Sequence, residues 1–145
     1  MAMAAGAGTS IQLHVEDNGE TTCRELAALC DEAGLPRDRA IRHYAPADIG
    51  ADFTHGLAAT VSVGRGSVET ITTSAASASA PWGMETDFLD DPRRPGAVLG
   101  LKTVPKRTQQ LCAALQVAGW DEDEVSGLMN SIHSDWPSQL YSVGN

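Results

Sequence analysis

The spacing of hydrophobic positions changes several times along the chain, and each change marks an element. Residues 11–15 (Ile-Gln-Leu-His-Val) alternate apolar and polar side chains, the period-two pattern of a half-buried strand. Asp17-Asn18-Gly19 then supplies turn chemistry. Thr22 and Glu25 have capping-box spacing, and Leu26, Leu29, Cys30 and Ala33 follow at helical steps. Gly34 suits a left-handed helix end and Pro36 bars continuation, so this spacing predicts a helix over 22–33.

Residues 40–44 (Ala-Ile-Arg-His-Tyr) read as a strand returning beside the first, because Ile and Tyr favour pleated surfaces and Pro46 limits a helix. Ala40, Ile41 and Tyr44 would also share a helical face. Residues 57–63 and 67–73 read as an antiparallel hairpin, two β-branched runs flanking Gly64-Arg65-Gly66. That reading contains a conflict. Val61 and Val63 share one face, but Val68 and Ile71 cannot both continue it without a bulge.

Residues 74–96 lack periodicity and read as a long irregular loop, with a short strand at 97–101 after it. Pro105 fits a first helical turn, and Leu111, Cys112, Leu115 and Ala118 form a stripe that ends at Gly119. Asp121 and Glu124 cap a further helix carrying Val125, Leu128, Met129, Ile132 and Trp136, which Pro137 should stop. The expected architecture is therefore α+β. A small, mostly antiparallel sheet packs against an N-terminal helix and a C-terminal helical hairpin, as one domain over 11–145 behind a flexible tail at 1–10.

Composition refines this picture. A chain of 145 residues is long enough to bury a core unaided, and with 5% aromatic content that core must be aliphatic and alanine-based. Three cysteines, an odd number without a CxxC pair, fit buried free thiols in a reducing cytoplasm. The first residues have no basic or long apolar run, and nothing approaches the roughly 18 apolar residues of a membrane span. The expectation is a cytoplasmic protein without a membrane partner.

The net charge of −9 makes nucleic acid an unfavourable partner, since phosphate binding needs clustered Lys and Arg. The basic residues fall in three groups, Arg37/Arg39/Arg42, Arg93/Arg94 and Lys102/Lys106/Arg107, and read as ordinary solvated charges. The Glu-Leu-Ala start at Glu25 and the Ile-Arg-His-Tyr end at Tyr44 resemble the helix-turn-helix of MerR-type regulators. The turn here is longer, and no DNA-contact residue carries over.

No phosphate-binding loop and no nucleophile elbow is present, so no cofactor is implied and catalysis is not favoured. Cys23, in an expected first helical turn, is a weak candidate for a reactive thiol, and Cys112 reads as packing. His43, Asp48, Asp52 and His55 are weak candidates for a metal or general-base site, because hard and borderline ligands cluster within one stretch. Trp120, Asp121, Glu122, Asp123, Glu124 and Trp136 form a candidate protein-binding surface, aromatics beside dense negative charge. The leading expectation is a non-enzymatic acidic module (inhibitor, immunity-type or adaptor protein) that docks onto a basic protein surface or onto copies of itself. The alternatives are a small-molecule-binding protein or enzyme with its site near His43, Asp48, Asp52 and His55, and a structural or assembly subunit.

Overall fold

The computed structural model describes residues 1–86 and 100–141. Four strands, β1 (Ile11–Leu13), β2 (Ala40–Ala45), β3 (Ala58–Ser62) and β4 (Trp82–Glu85), form one sheet in the order β1-β2-β3-β4. Every neighbouring pair is parallel. Helices and a sheet do pack together, but the expected antiparallel direction is wrong. Parallel neighbours need a crossover rather than a tight turn, and the intervening segments supply it.

The expected hairpin shows why. Residues 67–73 are not a strand but lie in helix α4 (Ser67–Ser74). The register conflict of Val68 and Ile71 was a helical signature: three residues apart, they share one face of a helix. Ile71 is fully buried in a cluster with Ala59, Val61 and Val63, so α4 packs back onto the sheet it has just left. Gly66, at φ 85°, turns the chain from β3 into that helix.

Helix α2 (Glu20–Ala33) makes the first crossover, after the short helix α1 (Ala2–Ala7), which lies within the expected tail. Met1, Ala4 and Ala5 pack against the α2 cluster. Helix α2 starts earlier than the sequence suggests, so Thr22 is not its cap. The Thr22 hydroxyl instead accepts from Asn18 N–H and donates to the Glu16 carbonyl, tying down the β1–α2 loop. Cys23, Leu26, Ala27 and Cys30 face the sheet, whereas Leu29 is exposed. The short helix α3 (Ala51–Thr54) lies between β2 and β3.

Helix α5 (Thr103–Val117) buries Leu111 and Leu115 in the cluster that contains Ile71 and Val61. Gly119, at φ 99°, ends that run. Helix α6 (Glu122–Asn130) opens on a complete capping box between Asp121 and Glu124. Pro137 does not stop the chain's helical course. Residues Ser131–Asp135 widen into a π-helical turn, and α7 (Trp136–Tyr141) carries straight on from it. The first part of the loop expected at 74–96 instead holds the end of α4, a 3-10 turn at Ala75–Ser77 and strand β4, while residues 87–96 and most of the strand expected at 97–101 lie outside the described residues; Gly100 and Leu101 are in no strand. Among the described residues no helix is long and apolar enough to cross a membrane.

Candidate site at the carboxyl ends of the strands

Parallel register sorts the strand side chains onto two faces. Ile11, Leu13, Ala40, Arg42, Ala59, Val61, Trp82 and Met84 share the face covered by α2 and α4. The opposite face begins apolar, where Ile41 and Ala58 meet Leu140 of α7. Towards the carboxyl ends of the strands it turns polar: His14 just beyond β1, His43 on β2, Thr60 and Ser62 on β3, and Glu85 on β4.

These groups touch. His43 Nδ1 lies 2.7 Å from Glu85 Oε2 and 3.5 Å from Thr60 Oγ1. The His14 and His43 rings are 5.3 Å apart, tilted by 48°. The β2 backbone contributes to this placement. Its register with β3 shifts between Arg42 and Ala45, and Tyr44 holds a left-handed φ of 56°. Such a bulge re-aims a side chain, and a non-glycine residue in that conformation stores backbone strain.

Beside this pair lies a cavity of about 280 Å³. Its sheet wall includes Gln12, Thr60, Gly83 and Glu85, and its helical wall includes Ile132, Trp136 and Tyr141. Trp82 and Trp136 pack at 6.1 Å and join the edge strand to α7. Glu85 Oε1 and, from the other face of β4, Trp82 Nε1 are each buried without a hydrogen-bond partner among the described residues. Burial, and the Glu85 carboxylate nearby, push the Tyr141 phenol up from its ordinary pKa.

A larger opening of about 580 Å³ lies between α4 and α5. It is a shallow trough rather than a site. Its one cation, Arg107, is already engaged by the Val63 carbonyl and by Gln110.

The structure separates the four sequence candidates for metal or base chemistry. His43 belongs to the polar face, whereas His55 pairs with Glu20 of α2 on the other side of the sheet. Asp48 accepts from Gly50 N–H within its own loop, and Asp52 sits in the first turn of α3. No group of three or more His, Cys, Asp or Glu among the described residues is arranged to hold a metal ion.

At the start of α6 the acidic cluster divides. Asp121 and Glu124 are consumed by the capping box, and Glu122 and Asp123 stand exposed. Trp120 and Trp136 are both partly buried against the main core. Cys23 lies in the second turn of α2 and is buried; burial pushes its thiol pKa up, although Arg42 donates to it at 2.9 Å. Arg42 itself is only 3% exposed and also pairs with Asp17, on the covered face. Arg93 and Arg94 lie outside the described residues. The Ile-Arg-His-Tyr end of the segment that resembles a MerR-type helix-turn-helix is strand β2, not a second helix.

Sequence reasoning missed Glu85, Thr60 and His14 as partners of His43. The signal available was their common face: His14 just past β1, Thr60 within β3 and Glu85 at the end of β4 all point away from α2 and α4. That common face emerges only once the strands are known to be parallel.

No family model matches the chain, and no solved structure matches it. An uncharacterized protein of Methanocaldococcus jannaschii is 30% identical over 143 residues, which are 99% of this chain and 47% of that protein. The chain therefore spans about half the length of the relative it is similar to.

Proposed function

We propose that this protein binds a small polar molecule at the carboxyl end of its sheet and that the His43–Glu85 pair handles a proton of that molecule. The cavity lies between one face of the sheet, from Gln12 and Thr60 to Glu85, and the helical segment 132–141. One observation carries the reading. Glu85 offers one carboxylate oxygen to His43 and holds the other, buried and unpartnered, beside a cavity. A buried acceptor without a partner is costly unless something supplies a donor, and a bound molecule would do so. The imidazole then balances the carboxylate as a proton arrives or leaves, a general acid–base arrangement.

The test is a thermal-shift screen of a small-metabolite library against the wild type and Glu85→Gln. The reading expects a subset of compounds to raise the wild-type melting temperature and to lose that effect in the variant. Equal responses in both proteins would remove Glu85 from the site.

A second reading is favoured by the exposed Glu122 and Asp123 and by the net charge of −9: docking of the α6 start onto a basic protein surface. It explains the acidity of the chain but not the buried carboxylate. Neutralising Glu122 and Asp123 would slow such an association most at low salt, and an unchanged rate would end this reading.

A further inference from the structure

The long helices stand on one side of the sheet. Helix α2 packs on Ala40, and α4 and α5 pack with Ala59 and Val61, on the same face. The strand order β1-β2-β3-β4 never reverses, whereas doubly wound sheets reverse and carry helices on both faces. A sheet wound in one direction turns its other face inward and closes on itself with about eight strands. Four strands leave that face open.

Parallel sheets are otherwise found with both faces covered. Here Leu140 of α7 covers Ile41 and Ala58, while Gln12 and His14 stand exposed. The two tyrosines of the chain border the same face: Tyr44, with its ring 6.3 Å from that of His43, is 45% exposed, and Tyr141, on the cavity wall, is 50% exposed. Half-exposed aromatic rings suit an interface. The two edges of the sheet differ. The β4 side is shielded by the π-helical turn, whose Ile132 carbonyl lies 3.9 Å from where a side chain on Gly83 would begin. On the other side β1 pairs only with β2 among the described residues, so its outer edge offers backbone groups to a neighbour.

The M. jannaschii relative indicates the size of what lies against such a unit. This chain matches 47% of it, and the remainder is a stretch about as long as this whole chain. A second copy has that length, the same four strands and the same open face. We propose that two copies of this chain associate through these faces, the β1 edge of each beside the α7 side of its partner. A two-fold axis running along the strands keeps all eight strands parallel, gathers their carboxyl ends and sets the tyrosines into the joint. The space over His43 and Glu85 is then enclosed from both sides. This surface is independent of whether the cavity takes a ligand.

Sedimentation equilibrium of the full chain from micromolar to submillimolar concentration tests the proposal. The expected mass is twice 15.2 kDa, and because each copy carries a charge of −9, added salt should strengthen the association. Gln12→Glu, on the β1 edge, and Tyr44→Gly, which removes a ring and relieves the left-handed backbone, should each weaken it at least tenfold. Val117→Glu, at an 89% exposed position on α5 on the helical side, should leave it unchanged. Circular dichroism checks each fold, and if Gln12→Glu unfolds, Tyr44→Gly decides. A monomer at every concentration and salt would overturn the proposal. So would a dimer that Val117→Glu breaks and Tyr44→Gly does not.

Discussion

His43 and Glu85 stand on strands β2 and β4, with β3 between them, yet their side chains meet at 2.7 Å. Adjacent strands lie about 4.8 Å apart, so the two side chains must lean towards each other across β3. They have room because β3 presents only the small side chains of Ala58, Thr60 and Ser62 on that face. A double-mutant cycle with His43→Ala and Glu85→Gln should show a coupling of about 0.5–3 kcal/mol in unfolding free energy. Strict additivity would mean that the contact contributes nothing.

Asp17 anchors Arg42, whose guanidinium is otherwise served by the Gly19 carbonyl and the Cys23 sulfur. Burial works against the Asp17 carboxylate, but the Gly19 N–H and Arg42 outweigh it and hold its pKa below the ordinary value. A carboxylate depressed in the folded state adds stability above its unfolded pKa, near about 3.9, and loses it as pH falls through the lower folded value. Asp17→Asn should therefore cost stability at neutral pH, about 1–3 kcal/mol for a partner removed from a buried group, and the gap to wild type should close in acid. Urea titrations at several pH values measure this. A gap that widened in acid would reverse the assignment.

The three thiols should differ in reactivity. Cys23 and Cys30 are buried, and burial raises both pKa values, whereas Cys112 is partly exposed. Thiolate is the reacting form, so a thiol reagent should label Cys112 alone in the native protein and all three after denaturation. Rapid native labelling of Cys23 would show that the α2–sheet seam opens.

Leu115 is fully buried between α5 and the sheet, and Leu128 is only partly buried. Leu115→Ala should cost about 2–5 kcal/mol and Leu128→Ala less, because the second leaves a smaller cavity. Equal losses would mean that α6 packs more tightly than the burial pattern indicates.

The helices of the C-terminal half were legible because their periodicity is long and their caps are explicit. Asp121 and Glu124 form the box that their spacing promises, and Leu111 and Leu115 carry the stripe. Strand direction was not legible. Residues 67–73 are rich in Val, Thr and Ile, so β propensity competed with a helix only eight residues long, and contact with the sheet decided the outcome. That one substitution of helix for strand converts a hairpin into a crossover. Parallel strands then place His14, His43 and Glu85 at one end of the sheet. His43 was singled out from its sequence neighbours Asp48, Asp52 and His55, but its true partner lies forty-two residues on. Local spacing carries no trace of such a contact.

The central claim is that the space between the polar end of the sheet and the π-helical turn is a ligand site. Gly83→Val tests it most directly: the first carbon of the new side chain would make an ordinary contact with the Ile132 carbonyl, and the remainder would occupy the cavity. The measurement is the thermal response of wild type and Gly83→Val to the same metabolite library, with the variant's fold checked by circular dichroism. Compounds that stabilise the wild type should fail to stabilise the folded variant. Undiminished responses in Gly83→Val, or no response in the wild type, would contradict the claim.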